Sequence, residues 1–201
     1  MPAKVSHHIS RKGVTTLLHS ARTAAAVGRP FNVAVCIHTW ALGIPAEDVA
    51  RAFRYMRRQR FGRWSSYRPR RTGTPKNGTP SDTSVIEAPG GRHHIHWMLH
   101  IAPENRAEFE RKLVRWVKAM AGLKPSNGLP AGALHVQDVT NPEGKKLYMA
   151  KGIDPLYGGL WGIRPVDCGL VHGRRILTAQ ALGPAVWKPL KAAYQASRRA
   201  R

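Results

Sequence analysis

The chain has 201 residues, in which 33 Lys and Arg oppose 11 Asp and Glu for a formal charge of +22. That length suits one domain with a sizeable core, and the charge, spread along the whole chain, favours a polyanion, with nucleic acid the leading candidate. Two cysteines are too few for a disulfide framework or a four-thiolate zinc site, and no long apolar run points to a membrane.

Residues 1–30 read as a basic N-terminal arm with a short helix around 15–26. They lack a secretory apolar core, so a cytoplasmic protein is expected; their Ser, Thr and Ala content without acid also fits an organellar presequence. Phe31 to Trp40 reads as a strand, with Val33, Val35 and Ile37 on one side and Cys36 and His38 on the other. Pro45 is expected to open a helix with Glu47 and Asp48 in its first turn and an apolar stripe of Val49, Ala52, Phe53 and Met56. Residues 62–82 turn rich in Arg, Pro, Gly and Thr and read as a long mobile loop.

A strand at 83–87, the turn Pro89-Gly90-Gly91 and a strand at 93–101 should form an antiparallel hairpin. Pro103 and Glu104 open a helix striped by Phe109, Leu113, Trp116, Val117 and Met120. A strand at 133–139 and a helix from Pro142 to about Gly152 follow. The expected fold is α+β: a four-stranded antiparallel sheet in the order β-α-β-β-α-β-α, helices packed on one face and the other face open. Residues 153–201 read as a Gly/Pro-containing extension ending in a basic helix.

Strand parity then sorts the side chains. Ile95, Trp97, Leu99 and Ile101 should lie beneath the helices, and His94, His96, Met98 and His100 on the opposite face with His135 and Gln137. His94-Ile95-His96 thus offers two imidazoles on one face, and Glu87 can reach them from the adjoining strand. Two imidazoles and a carboxylate leave coordination positions open, as a catalytic metal needs, and mixed N/O ligation accepts Mn²⁺ or Mg²⁺ as well as Zn²⁺. Solvated surface histidines would show the same spacing. The second motif, Tyr148-Met149-Ala150-Lys151, starts 52 residues after His96 and puts a phenol and an ammonium one helical turn apart. Lys151, Lys145 and a metal would each favour the phenolate, the form able to attack a phosphodiester.

The two motifs resemble those of the HUH endonuclease superfamily, and of its single-tyrosine, rolling-circle replication-initiator branch. His94-Ile95-His96 is similar to the His-hydrophobic-His motif, Tyr148 to Lys151 to the Tyr-x-x-Lys motif, and Glu87 sits where many members place a third metal ligand. The resemblance covers residues 31–152, the expected nuclease domain. It implies a metal-dependent endonuclease that nicks a single-stranded or hairpin DNA origin of a plasmid or virus, keeps the 5′-phosphate on Tyr148, and leaves a 3′-hydroxyl for a polymerase. No second tyrosine stands four residues from Tyr148, and no phosphate-binding loop of a fused helicase is present. Strand separation would therefore need a host or partner helicase.

DNA contacts are expected from Arg54, Arg57 and Arg58 of the first arginine-rich helix, from Arg63, Trp64, Tyr67, Arg68, Arg70 and Arg71 of the loop, from Lys145, and from the basic C-terminus. Trp64 has two readings, a stacking platform for bases or an anchor of the loop to the core. A relaxase or a single-tyrosine transposase shares the chemistry. The rivals are a non-catalytic RNA- or DNA-binding module of the RNA-recognition type, and a metal-dependent hydrolase without a covalent step. Recognition modules display aromatics on the central strands, whereas this face offers His, Met and Gln.

Overall fold

The computed structural model describes residues 4–68, 73 and 75–199. Their architecture is α+β. Strands β1 (Val5–Ser6), β2 (Val33–Ile37), β3 (Asp82–Glu87), β4 (His94–Leu99), β5 (Leu134–Asp138), β6 (Val171–His172) and β7 (Ile176–Thr178) alternate with helices α1 (Arg11–Ala26), α2 (Val49–Tyr55), α3 (Arg63–Ser66), α4 (Arg106–Met120), α5 (Pro142–Met149) and α6 (Pro184–Arg199). The main sheet has the order β5-β2-β4-β3-β7, antiparallel throughout, and β1 pairs with β6 in a separate two-stranded ribbon.

The expected hairpin is β3–β4, in a register that sets Glu87 opposite His94 and Val85 opposite His96. Gly90 and Gly91, both at positive φ, turn the chain between them. On β2, Cys36 lies opposite His96 on one side and His135 on the other. Alternation along β2 and β4 does the sorting that parity predicts. Val33, Val35, Ile37, Ile95, Trp97 and Leu99 fill one core with Phe53 of α2 and Phe109, Leu113 and Val117 of α4. Trp97 is its centre, met edge-on by Phe53 and Phe61 at 5.5 and 5.0 Å between ring centres.

Three expectations are corrected. The sheet has five strands, not four; β7 is only three residues long and carries no periodic signal. Helices cover both faces, not one. The basic N-terminal segment forms α1, whose buried Val14, Leu17 and Ala24 pack with Val85, Met98 and Met149 into a second core on the histidine side of the sheet. Its apolar positions are small and interleaved with Thr and Ser, so the segment reads as polar. The helix expected from Pro45 instead begins at Val49. It runs on through a π-helical stretch, Met56–Gly62, into α3, so the start of the expected loop is helical.

The end of that loop is also held. Ser81 and Asn77 are buried, and the Asn77 amide donates to the His100 carbonyl. Asp82, fully buried at the head of β3, accepts from Arg57 and from the Trp97 indole at 2.8 Å. A buried carboxylate stripped of its cation is costly. Arg57→Ala is expected to destabilise the chain by ~3 kcal/mol, read as a lowered urea midpoint at neutral pH.

The C-terminal extension belongs to the sheet as well. The Ala88 amide donates to the Cys168 carbonyl at 2.7 Å, Ile86 to Arg175 at 2.8 Å, and Val166 to Lys151 at 2.8 Å. Gly169 sits so close to Ala88 that any Cβ would collide with the Ala88 carbonyl. These bonds press the tail onto the end of β3 and remove Glu87 from water.

Candidate functional site

Glu87 ends β3, His94 begins β4 and His96 follows on the same face; their Glu Oε and His N atoms lie within 4.8 Å of one another. His94 Nε2 and His96 Nε2 are 3.2 and 3.6 Å from the same Glu87 oxygen, Oε2. Lys151 Nζ is 2.9 Å from it. Glu87 is 1 % exposed, yet neither of its oxygens nor His96 Nε2 has a partner in hydrogen-bond geometry among the described residues. Two donors sharing one ion at ~2.1 Å stand ~3–3.5 Å apart, close to the separations of His94 and His96 from Glu87. His94 Nδ1 lies 3.2 Å from the Arg92 carbonyl. A carbonyl can only accept, so Nδ1 carries a proton there, and Nε2 is the nitrogen that would offer its lone pair to a cation. Glu87, His94 and His96 can therefore hold a divalent cation, and their orphaned buried atoms fit one.

Burial alone would raise the Glu87 pKa; contacts with His94, His96 and Lys151 outweigh it and hold the carboxyl well below the usual range. Burial lowers the His96 pKa, against the pull of Glu87, which keeps the ring neutral and ready to ligate. Lys151 moves up: its burial is outweighed by Tyr148 and Glu87, so it stays an ammonium. Both depressed groups have the same sign. Each supports the fold above its unfolded pKa and loses that support as pH falls through its folded one. The metal-free protein is thus expected to show a falling urea midpoint as pH drops below the ordinary imidazole value of ~6.5, a dependence weakened in His96→Gln.

Tyr148 reaches the same place from α5. Asn141 caps that helix, its side chain accepting from the Gly144 amide at 2.8 Å, and Pro142 starts it. Met149 and Ala150 are buried, so Tyr148 is turned outward, half exposed. Its ring stands edge-on to His96, 5.5 Å between centres. Lys151 Nζ is 3.8 Å from the Tyr148 ring centre and Lys145 Nζ 5.7 Å. Beside them lies a cleft of about 200 Å³, floored by Cys36, His96, Met98, His135 and Gln137 and walled by Lys145 and Tyr148. The residues named from sequence as metal ligands, phenol and cation thus meet in one place.

The nucleic-acid residues divide. Lys145 is at the cleft. Arg54, Arg58 and Arg63 are exposed, but on the α2–α3 run that packs against the opposite face of the sheet. Tyr67 and Arg68 are exposed as well; Arg70 and Arg71 lie outside the described residues. Two are corrected. Arg57 is committed to Asp82, and Trp64, 8 % exposed, packs on Phe61, Phe109 and Trp116 while its indole donates to Glu108 at 3.2 Å. It anchors rather than stacks on bases. Its spacing from Phe61 along one continuous helix was the signal for that.

On the histidine side α1 packs against α5 and α6, which joins the N-terminal helix to Lys145 and the basic C-terminus, both expected from sequence, a grouping the sequence did not show. His19 stacks on Trp187 of α6 at 4.0 Å, and besides burial the charges of Lys191, Arg22 and Lys146 lower its pKa. A larger cavity of about 490 Å³, between α2 and α4 on the far side, contains none of the sequence-derived site residues. No family model matches this sequence, and no curated protein is significantly similar to it. No described helix is long and apolar enough to cross a membrane.

Proposed function

We propose that this chain is a metal-dependent endonuclease and strand transferase of the HUH type, which nicks single-stranded or hairpin DNA and retains the 5′-phosphate on Tyr148 to initiate rolling-circle replication. The observation that carries the reading is the convergence of a half-exposed phenol, a half-buried cation and a Glu-His-His triad, with Glu87 and His96 carrying atoms that lack a hydrogen-bond partner, beside one cleft. None of these five side chains has a structural task that would call for this grouping. An RNA-recognition module would spend this face on exposed aromatics; here it is spent on imidazoles, a thiol and an amide.

Glu87, His94 and His96 would hold Mn²⁺ or Mg²⁺, which supplies Lewis-acid polarisation of a phosphate oxygen when bound. The phenolic oxygen of Tyr148 attacks phosphorus as its proton leaves to solvent. The bond from phosphorus to the 3′-oxygen breaks, and that oxygen takes up a proton. Lys151, held as an ammonium by Glu87 and the phenol, favours the developing phenolate and opposes the charge on the phosphate. The phosphotyrosine bond preserves the energy of the broken one, so a later 3′-hydroxyl can reverse the step and join strands. DNA polymerase and helicase would come from the host or a partner.

Incubation with single-stranded DNA and Mn²⁺ is expected to yield a protein–DNA adduct that survives denaturation, the nucleotide carried by the peptide containing Tyr148. Cleavage without any adduct would point to hydrolysis and sink the proposal.

A further inference from the structure

We infer that Cys36, His38 and His135 form a second metal site, selective for a thiophilic ion such as Zn²⁺, directly beside the first. The argument begins with a repetition in the sheet. In the first triad two ligands sit at i and i+2 of β4, and the third, Glu87, comes from the neighbouring strand opposite one of them, His94. One strand over, Cys36 lies on β2 and His38 follows one residue past the end of that strand, while His135 comes from β5, opposite Cys36. Strand alternation sends all six side chains to the same face.

Cys36 and His38 already share a hydrogen bond, and their spacing would also let them share an ion. Cys36 Sγ lies 3.5 Å from His38 Nε2; a tetrahedral zinc with bonds of ~2.3 Å to sulfur and ~2.1 Å to nitrogen holds the two ~3.6 Å apart. The exposed ring of His135 stands edge-on to His38, 5.6 Å between centres. To complete the site its ring has to turn toward Cys36, its cross-strand partner. Two imidazoles and a thiolate select Zn²⁺ or Co²⁺ over Mg²⁺ and Mn²⁺, whereas the carboxylate triad accepts the harder ions. The two sites therefore divide metals by ligand chemistry. Cys36 and His135 also floor the cleft beside Tyr148, so an ion held there would narrow it.

The inference stands apart from the proposed nuclease activity, since its test needs no DNA. Chelator-stripped protein titrated with Co²⁺ should develop a thiolate-to-cobalt charge-transfer band in the near ultraviolet. The band should vanish in Cys36→Ser and Cys36→Val, weaken severely in His38→Ala and His135→Ala, and persist in Glu87→Gln, whose site contains no sulfur. Zinc bound after dialysis should fall from two equivalents per chain to one in Cys36→Ser and to one in Glu87→Gln. Circular dichroism establishes that each variant is folded, and the pair of Cys36 variants guards against loss of one. No band in the wild-type chain, a band that survives Cys36→Ser and so belongs to Cys168, or a band indifferent to both histidine variants would overturn the assignment.

Discussion

Replacing Tyr148 with phenylalanine is expected to abolish the DNA adduct and to slow strand cleavage by at least ~10³-fold, while leaving Mn²⁺ affinity and the unfolding midpoint unchanged. Losing the nucleophile of a covalent mechanism removes the reaction path itself, not a stabilising contact along it. The substitution is clean because the partner of the phenol oxygen, Lys151, is also held by Glu87, while the ring is half exposed and packs by its edge on His96 and by its face under Lys151. Phenylalanine keeps both of those contacts. A denaturing gel on labelled single-stranded DNA reads the adduct and the cut strand together. Undiminished cutting in the variant would assign the chemistry to a metal-activated water and leave Tyr148 as a wall of the cleft. Equal loss of metal binding would mean that the phenol supports the triad, and the kinetic defect could not then be read as loss of a nucleophile.

Much of this site was legible because strand alternation is a rigid rule. Once Ile95, Trp97 and Leu99 are assigned to a core, His94 and His96 have to face the other way, and the two-residue period makes Glu87 their neighbour across a tight hairpin. The helix of Tyr148 was equally readable, since Asn141 and Pro142 announce its start. What escaped the sequence is how the histidine face is closed. The two-residue β1 and β6 and the three-residue β7 are too short to show a period, and the helix expected at 15–26 gives no sign in sequence of the face it covers. Their pairing is long-range, fixed by contacts such as Arg175 donating to the Ser6 carbonyl across the ribbon. So a face expected to be open is half covered, and Glu87 is sealed from water. The arginines misled for a related reason. Composition shows that a helix is basic but not which side of the sheet it packs on; Phe53 and Met56 commit α2 to the side away from Tyr148.

Glu87 is where that closure matters most, and its substitution separates two tasks. One of its oxygens meets both imidazoles and the Lys151 ammonium, so the carboxylate neutralises Lys151 as well as offering itself to a metal. Gln at this position keeps the volume but not the charge. It leaves a half-buried ammonium facing two imidazoles, and a cation approaching them meets like charge without a carboxylate to offset it. Glu87→Gln is therefore expected to lose Mn²⁺ binding by ~100-fold or more and DNA cleavage with it. Lys151→Met should part the two properties. Removing the ammonium relieves that repulsion, so Mn²⁺ binds at least as tightly as in the wild-type chain. Cleavage nevertheless falls by ~10²-fold, because nothing else so near Tyr148 favours its ionised form or opposes charge on the phosphate. Calorimetric titration with Mn²⁺ beside single-turnover cleavage reads both quantities on the same preparations. If Lys151→Met loses metal and activity together, the lysine orders the carboxylate and has no separate part in the chemistry. If Glu87→Gln keeps its metal, the two imidazoles suffice as ligands, and the buried carboxylate serves only as the counter-charge that holds Lys151 against the phenol.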